Sequence, residues 1–313
     1  MAEHLLIPKR LARALPALRR VSWRVEAAVI RSLVWWLRRL SLERATRLSR
    51  ALIRLLAPLT PMWLKVARNH RIAFPDLDDR ARARLRRDVF SSLGSAVAEL
   101  VCADRIWAER DTRLEFIADP AIRSLREAEA PMVFVSAHVG AWQLACFLGR
   151  RYGFQYTLLY AVESNPYFAQ TMLELRQRLL CRWLPNQGGV RTLIEELRQG
   201  HSIGLAVDTR MDQGQPIPFF GHPAMTNTVP ARLALKQRCE LVPVHVERLP
   251  GTRFRVCLEA PIVPGDASAA PDQQALDMTT QLNARFEEGI RQSPGEWMCL
   301  ARRWPKDLDK AAA

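Results

Sequence analysis

The chain has 313 residues and a mass of 35.7 kDa, and 49% of its residues are hydrophobic while 25% are charged. This composition excludes an intrinsically disordered chain and a small disulfide-stapled module. The 46 Lys and Arg residues outnumber the 32 Asp and Glu residues, so the net charge is +14. Such an excess of positive charge favours an anionic partner, either nucleic acid or a phospholipid leaflet.

Most of this charge lies near the N-terminus. Residues 1–75 hold 16 Lys and Arg residues against three acids, a net charge of +13, whereas residues 76–313 carry +1. Helical periodicity covers 8–57, and five arginines fall within roughly 40° of one another on a helical wheel: Arg13, Arg20, Arg24, Arg31 and Arg38. Valines, leucines, an isoleucine and tryptophans run between them, a pattern typical of a helix that lies in the membrane interface.

We therefore predict that residues 1–60 form basic amphipathic, membrane-associating helices. The alternative is that their apolar face packs on the rest of the protein while the arginines are solvated. A membrane-spanning helix needs roughly 20 apolar residues, and Arg31, Arg38 and Arg39 interrupt the longest N-terminal candidate. With no secretory signal evident, we expect a peripheral or monotopic protein on the cytoplasmic face of the inner membrane.

Beyond Pro58 and Pro61, which break the helical pattern, helices are predicted at 61–72 and 80–104. From 131 onward, apolar strands alternate with helices, which predicts a mixed, mostly parallel sheet flanked by helices in one α/β domain over 61–313. Residues 209–227, rich in Gly and Pro, are predicted to be a loop. The predicted strands are 131–137, 155–162, 202–208, 241–249 and 253–261. The predicted helices are 140–151, 166–183, 189–200, 229–238 and 272–291.

One histidine occupies a position where catalytic groups are common. His138 follows the apolar strand at 131–137 and precedes a predicted helix, and ligand sites lie at the carboxyl ends of such strands. The alternative is a histidine that caps the helix for structural reasons. The six cysteines show no C-x-x-C pair, so neither structural zinc nor a disulfide framework is predicted.

Several short blocks occur in the order seen in one family. The block at 136–145 (SAHVGAWQLA) resembles the His-x4-Asp/Glu block of bacterial lipid A biosynthesis (lauroyl/myristoyl) acyltransferases, which belong to the lysophospholipid acyltransferase group. The segment at 68–75 (RNHRIAFP) resembles the family's Arg-Asn-Leu-x3-Phe-Pro stretch. Further resemblances lie at 165–166 (NP), 208–210 (DTR), 218–226 (PFFGHPAMT), 231–234 (ARLA) and 297–304 (WMCLARRW). The resemblance covers residues 25–305.

The resemblance implies a glycerolipid acyltransferase-like fold and transfer of a fatty acyl group to a lipid hydroxyl, with His138 as general base. It implies acyl carrier protein or acyl-CoA as donor, a lipid acceptor such as a lipid A precursor, an anionic membrane surface as partner, and no cofactor, metal or nucleic acid. Residues on or near the matching blocks are expected to bind substrate, the arginines holding phosphate groups: Asn69, Arg176, Arg178, Asp208, Arg210, Gly221, Thr226 and Arg232.

The chain departs from the family at the residue five positions after His138, where Gln143 replaces the acidic residue. Glutamine cannot balance an imidazolium charge, but its amide oxygen can accept the Nδ1–H of His138 and orient the ring, as asparagine does in papain-like sites. Gln143 is therefore the expected partner of His138, unless Asp208 or another carboxylate takes that place. The alternative function is a weak or inactive lipid-binding homologue.

Overall fold

The computed structural model describes residues 15–127, 130–186, 189–305 and 308. Its N-terminal part is helical, with α1 (Pro16–Arg39), α2 (Leu42–Leu56), a 3₁₀ turn at Ala57–Leu59, α3 (Met62–Ala73), α4 (Asp79–Val101), α5 (Ala103–Ala108) and α6 (Arg110–Arg113). Strands and helices then alternate: β1 (Leu114–Ala118), α7 (Arg123–Glu127), β2 (Val133–Ser136), a 3₁₀ helix at Trp142–Phe147, α8 (Leu148–Tyr152), β3 (Tyr156–Tyr160), α9 (Pro166–Gln177), β4 (Arg182–Pro185), α10 (Gly189–Arg198) and β5 (Ser202–Ala206). The remaining elements are β6 (Gln215–Phe219), β7 (His222–Thr226), α11 (Val229–Gln237), β8 (Leu241–Leu249), β9 (Arg253–Leu258), α12 (Pro271–Gln292) and a 3₁₀ turn at Pro294–Glu296.

Seven strands form one sheet in the order β1-β9-β8-β2-β5-β3-β4. The strands from β8 to β4 run parallel to one another, while β9 is antiparallel to β8 and parallel to β1. The prediction of an α/β fold with a mixed, mostly parallel sheet is confirmed. Strands β6 and β7 form a separate antiparallel hairpin.

Side chains of β2 alternate between two apolar cores, one on each face of the sheet. Val133 and Val135 pack in the core that includes residues of α11 and α12. Phe134 packs in the other core, with residues of α9 and of the 3₁₀ helix at Trp142–Phe147. Because the central strand is buried on both faces, it reads as a continuous apolar run, as expected for a parallel strand covered by helices.

The structure departs from the sequence-based expectations at several elements. Strand β1 was not predicted, and the predicted loop at 209–227 contains the hairpin β6–β7. The helix predicted at 166–183 ends at Gln177, because Leu180 adopts a left-handed backbone (φ 58°) and Arg182 begins β4. The helix predicted at 140–151 divides into a 3₁₀ helix followed by α8.

The N-terminal helices pack on the body and also expose apolar side chains. Helix α2 lies so close to α4 that a Cβ atom on Gly94 would come within 2.6 Å of the Arg50 Cα. On α1, Leu37 is buried, whereas Val29 is 61% exposed. The large apolar residues exposed between 15 and 64 are Leu15, Val21, Val25, Val29, Trp35, Trp36, Leu48, Leu55, Leu56, Leu59 and Leu64. No helix in the described part of the chain has the length and apolarity needed to cross a bilayer.

The arginine stripe of α1 is partly turned toward the body rather than toward solvent. Arg38 makes two hydrogen bonds to the Asp104 carboxylate, at 2.9 and 3.1 Å, and Arg24 donates to the Tyr167 hydroxyl. Arg13 lies outside the described residues. The exposed valines Val21, Val25 and Val29 recur every four residues, so they share one face of α1. Apolar residues of this helix thus occur both on its buried side and on an exposed face.

A buried ion-pair network joins β8 to α4 and to the C-terminal segment. Arg248 donates to both carboxylate oxygens of Glu99, at 2.6 and 2.9 Å, and to the Ser92 hydroxyl at 2.7 Å. It also pairs with Glu296. The Glu99 residue is 2% exposed, so this carboxylate depends on Arg248 for its neutralisation.

Replacing Arg248 with methionine is expected to lower the free energy of unfolding by about 3–5 kcal/mol, because it leaves a buried carboxylate without its partner. Urea unfolding followed by circular dichroism measures the change. The double variant Glu99→Gln/Arg248→Met should recover part of the loss, and Arg253→Met, at an exposed position on β9, should stay within about 0.5 kcal/mol of the parent. A loss for Arg248→Met no larger than that of Arg253→Met would contradict the network's role.

Candidate active site

Two polar residues emerge side by side from the centre of the sheet. Strands β2 and β5 are parallel neighbours, and Ser136 pairs with Ala206. His138 follows Ser136 by two residues, and Asp208 follows Ala206 by two residues. Because the register is matched and both strands end at the same edge, the two side chains meet there. Their position fits the rule that places sites at the carboxyl ends of parallel strands.

His138 and Asp208 form a short hydrogen bond. The distance between His138 Nδ1 and Asp208 Oδ1 is 2.6 Å, and the second carboxylate oxygen accepts the indole N–H of Trp297 at 3.0 Å. Asp208 is 3% exposed, whereas 27% of the His138 side chain is accessible. The Trp142 ring packs edge-on against the imidazole, with 4.7 Å between centroids. The imidazole is therefore held on one side by Asp208 and remains reachable from solvent.

The Asp208 carboxylate shifts the protonation equilibrium of the histidine. Burial favours the neutral imidazole, but the charge of Asp208 and its hydrogen bond outweigh burial and raise the pKa of His138 above 6.5. Burial also opposes ionisation of Asp208, yet His138 and Trp297 keep its pKa below 3.8. Asp208 is thus an anion at neutral pH, and it fixes the proton of a neutral His138 on Nδ1, so that Nε2 presents a lone pair.

The backbone around His138 is tied to the C-terminal segment and to β8. The His138 carbonyl accepts the N–H of Met298 at 2.8 Å, and the Gly140 N–H donates to the Glu296 carbonyl at 3.2 Å. Gly140 has a φ of 62°, and a Cβ atom there would lie 2.2 Å from the Val246 carbonyl oxygen. Only glycine fits this left-handed turn against β8, which sets the direction in which the His138 loop leaves the strand.

The expected pairing of His138 with Gln143 is wrong. Asp208 occupies His138 Nδ1, and the Gln143 Oε1 atom is buried without a hydrogen-bond partner among the described residues. The physical reason is that Gln143 lies in a 3₁₀ helix, whereas Asp208 projects from the adjacent strand end in register with His138. The structure shows the alternative arrangement, in which Asp208 is the carboxylate partner of His138.

A groove of about 870 Å³ passes beside the strand ends. Ala137, Val139 and Gly140, which flank His138, line it together with residues of β8, of the end of β1 and of the last turns of α12. The groove walls combine apolar side chains with several carboxylates, Glu247 and Glu259 among them. The groove therefore borders the residues on either side of His138.

The arginines expected to bind phosphate do not form one surface. Residues of α9 pack in the core on the Phe134 side of the sheet, and those of α11 in the core on the opposite side, so Arg176 and Arg178 are separated from Arg232 by the sheet. Each of these arginines, and Arg210, already pairs with a carboxylate: Arg176 with Glu163, Arg178 with Asp104, Arg210 with Asp212 and Arg232 with Asp272. The arginines expected to hold phosphate groups therefore lie on both faces of the sheet, each with a carboxylate partner.

Three other predicted substrate-binding residues have structural partners. Asn69 is 1% exposed and donates to the carbonyls of Cys299 and Ala301 at 2.8 and 2.7 Å. Thr226 is fully buried, and its hydroxyl donates to the Ala224 carbonyl and accepts from Arg303. Gly221 adopts a φ of 74° in the turn between β6 and β7. In this arrangement Asn69 and Thr226 hold the C-terminal segment, and Gly221 allows the turn.

Two tryptophans complete the site and were not assigned to it from the sequence. Trp297 orients Asp208 through its indole N–H, and Trp142 packs on His138. The block at 297–304 marks Trp297, but its contact with Asp208 depends on the path of the C-terminal segment, for which a sequence pattern offers no signal. Trp142 stands four residues after His138, close enough along the chain to have been considered.

The described residues also contain one group of potential metal ligands away from His138. His245 and Cys257 face each other across β8 and β9, and together with Glu247 they offer ligand atoms within 4.8 Å of one another. His245 Nδ1 is hydrogen-bonded to Glu259 at 2.9 Å. The sequence showed no clustering of cysteine with histidine, because Cys257 and His245 meet only through strand pairing.

Comparison with known proteins places this chain in a family. The profile described as "Bacterial lipid A biosynthesis acyltransferase" matches residues 21–306. A phosphatidylinositol mannoside acyltransferase of Mycobacterium tuberculosis is 27% identical over 186 residues, which are 57% of this chain and 56% of that protein. A phosphatidylinositol mannoside acyltransferase of Mycolicibacterium smegmatis is 28% identical over 203 residues, 63% of this chain and 64% of that protein. The chain thus spans less than two thirds of the length of these curated relatives.

A solved structure is also similar to part of the chain. The 1-acyl-sn-glycerophosphate acyltransferase PlsC from Thermotoga maritima aligns with a TM-score of 0.37 and 13% identity, covering 77% of this chain and 97% of that structure.

The ionisation of His138 should respond to Asp208 and be insensitive to Gln143. In Asp208→Asn the pKa of His138 is expected to fall below 6.5, because burial then acts without an opposing charge. In Gln143→Met, which removes an unpartnered oxygen, this pKa should stay above 6.5. NMR titration of ¹³C-labelled histidine, with His138→Ala used to assign the resonance, measures both. A shift in Gln143→Met as large as that in Asp208→Asn would contradict the assigned pairing.

Proposed function

The chain belongs to the bacterial lipid A biosynthesis acyltransferase family, and from this membership we propose that it transfers a fatty acyl group from a thioester to a hydroxyl group of a lipid acceptor. The observation that carries the proposal is the hydrogen bond of 2.6 Å between His138 and the buried Asp208. A neutral imidazole oriented by a carboxylate is the group that such a reaction requires to remove the proton of an attacking hydroxyl.

The proposed reaction begins with the acceptor hydroxyl at His138 Nε2. As the hydroxyl oxygen attacks the thioester carbonyl carbon, Nε2 takes the hydroxyl proton and the imidazole becomes cationic. Asp208 stabilises this cation while it stays ionised. When the tetrahedral intermediate collapses, the carbon–sulfur bond breaks and the imidazolium returns its proton to the leaving thiolate. The ester and the free thiol are the products, and the dyad of His138 and Asp208 returns to its starting protonation state.

The donor in this proposal is an acyl thioester of acyl carrier protein or of coenzyme A. The acceptor is a sugar-bearing lipid, since the family profile is named after lipid A and the two mycobacterial relatives after phosphatidylinositol mannoside. Within this class we propose a lipid A precursor as the acceptor. The groove beside Val139 and Gly140 is the route by which we propose that an extended substrate reaches His138.

The second candidate function is a lipid-binding homologue without activity, which Gln143 suggested at the level of sequence. Loss of the acidic residue at that position would weaken the base if nothing replaced it. The short bond between Asp208 and His138 Nδ1 supplies a carboxylate to the same imidazole nitrogen that needs one. This observation favours the enzyme over the inactive homologue.

We also propose a location and a division of labour along the chain. Residues 1–60 would be the membrane-associating segment and residues 61–313 the acyltransferase domain, bound to the cytoplasmic face of the inner membrane. Support comes from the apolar face of α1, with Val21, Val25 and Val29 exposed, within residues 1–75, which carry 16 basic residues. Apolar side chains beside arginines are the combination that binds an anionic leaflet.

Acyl transfer should depend on both members of the dyad and rise with pH. His138→Ala is expected to abolish transfer, and Asp208→Asn to lower kcat roughly 10²- to 10⁴-fold, because the base loses its orientation and its stabilised cation. The parent rate should rise through a pKa above 6.5, since only the neutral imidazole accepts a proton, and this midpoint should move to lower pH in Asp208→Asn.

The assay follows transfer from acyl carrier protein and coenzyme A thioesters to a lipid A precursor and, in parallel, to phosphatidylinositol mannoside. Gln143→Met is the control and should stay within a few-fold of the parent rate. Parent-like activity of His138→Ala would overturn the assignment of the base. Inactivity of the parent protein toward every donor and acceptor, with lipid binding retained, would favour the inactive homologue.

Membrane binding should depend on the exposed face of α1. Val29→Glu is expected to weaken binding to vesicles containing phosphatidylglycerol by about tenfold or more. The substitution replaces an apolar side chain that would insert into the leaflet with a negative charge that the anionic leaflet repels. Val263→Glu is the matched control, since Val263 is 64% exposed and Val29 61%, and it should leave binding unchanged. Vesicle co-sedimentation measures both, and equal losses in the two variants would contradict the proposed face.

A further inference from the structure

A buried histidine on α3 lacks any hydrogen-bond partner. His70 is 0% exposed, and both of its ring nitrogens are unpaired among the described residues. A neutral imidazole has one N–H donor and one acceptor nitrogen, and leaving such groups buried and unpaired costs free energy. The adjacent Asn69, in contrast, hydrogen-bonds the carbonyls of Cys299 and Ala301. The helix is thus firmly held while the His70 ring is left without a partner.

His70 is one of the residues that line a cavity of about 240 Å³ between α3 and α4. Arg71 from α3 and Arg82 and Arg86 from α4 line the same cavity, and Asp79 is the acid in its wall. Three arginines and the buried, unpartnered His70 therefore line one small space. A cluster of donors and positive charges with one acid is suited to an anion.

The positive charge of this cavity is only partly balanced. Arg82 donates to Asp79 at 3.2 Å. Arg86 instead stacks on the Trp63 ring, with 4.0 Å between the guanidinium carbon and the ring centroid, and its Nε atom is buried and unpaired. Within the described part of the chain, neither Arg71 nor Arg86 pairs with a carboxylate. Burial and the nearby Arg87 and Arg71 charges lower the pKa of Arg86, as expected for cations that lack a counter-ion.

We propose that this cavity binds a phosphate oxyanion, with His70 donating its N–H to one oxygen and Arg71 and Arg86 donating to the others. Guanidinium groups match the geometry of phosphate oxygens and form charge-assisted hydrogen bonds with them. The bound oxyanion would give His70 a hydrogen-bond partner and would balance the positive charge of the arginines. Because burial and then Arg86 lower the pKa of His70 to about 4, the imidazole at neutral pH is an uncharged donor.

The phosphate can belong to a free anion or to a lipid headgroup. The cavity residue Ala67 lies one turn after Leu64, a 60% exposed leucine on the same helix. Exposed Leu59 precedes the helix. If this apolar edge contacts a leaflet, the cavity lies at the depth of the headgroup phosphates. The site is separate from His138, and its test does not involve acyl transfer.

Titration calorimetry of the full-length protein with inorganic phosphate, at constant ionic strength in chloride, tests the site. We expect the parent protein to bind phosphate. Each of the variants His70→Leu and Arg86→Gln should bind it about tenfold more weakly, because each loses one hydrogen bond to a charged ligand. Arg84→Gln is the matched control, because it removes the same charge from an exposed position roughly 200° around α4 from Arg86. Circular dichroism verifies that each variant is folded, and Arg86→Gln retains the test if His70→Leu does not fold.

A second arm identifies the source of the phosphate by comparing the same proteins on vesicles of phosphatidylglycerol and of phosphatidylcholine. Weaker binding of His70→Leu and Arg86→Gln than of Arg84→Gln to phosphatidylglycerol vesicles would assign the site to a lipid headgroup. Weaker phosphate binding with unchanged vesicle binding would assign it to a free phosphate. Phosphate affinity that is undetectable in the parent, or equal in the parent and all three variants, would overturn the proposal.

Discussion

The site depends on the pairing of β2 with β5 more than on any other interaction. This pairing sets Ser136 opposite Ala206, so that the residues two positions later, His138 and Asp208, are brought within hydrogen-bond distance at the end of the sheet. A slip of the register by one residue would turn one of the two side chains to the other face. Burial of β2 by an apolar core on each face opposes such a slip, because it would exchange Val133 and Val135 with Phe134 between two closely packed cores. The packing of the sheet therefore holds the geometry of the dyad.

The C-terminal segment adds contacts that hold Asp208 and the His138 backbone in place beyond the pairing of the strands. Trp297 bonds the outer oxygen of Asp208, and the Met298 N–H bonds the His138 carbonyl. Further along, Asn69 of α3 holds the carbonyls of Cys299 and Ala301. Each contact joins parts of the chain at least 89 residues apart. The segment thus links α3 to the site.

Sequence patterns predicted local structure well and spatial partners poorly, for a physical reason. Strand β8 was predicted at 241–249, as the structure has it, because an apolar run between breakers is a local signal. Hairpin strand β6 was missed because Pro216 and Pro218 lack the backbone N–H that a strand donates, so their presence argues against a strand. Prolines are nevertheless tolerated at sheet edges. The site shows the same limit: the strand-end position of His138 is visible locally, whereas its contact with Asp208 requires the order of the strands. Gln143 was favoured because it stands at the acidic position of the His-x4-Asp/Glu block that the chain resembles.

The carboxylate beside His138 belongs to Asp208, which follows strand β5, and not to a residue of the 3₁₀ helix after His138. This origin determines which parts of the fold hold the His138–Asp208 pair in place. A partner at the position of Gln143 would be held by a short 3₁₀ helix, which has poorer hydrogen-bond geometry and is easily distorted. Asp208 is instead held by a central strand and by the Trp297 indole, and its burial makes its charge interact more strongly with the imidazole. The cost is that Asp208 must remain paired, because a buried carboxylate without partners would take up a proton. In this arrangement the orientation of His138 and the ionisation of Asp208 each require the other, so the dyad behaves as one unit.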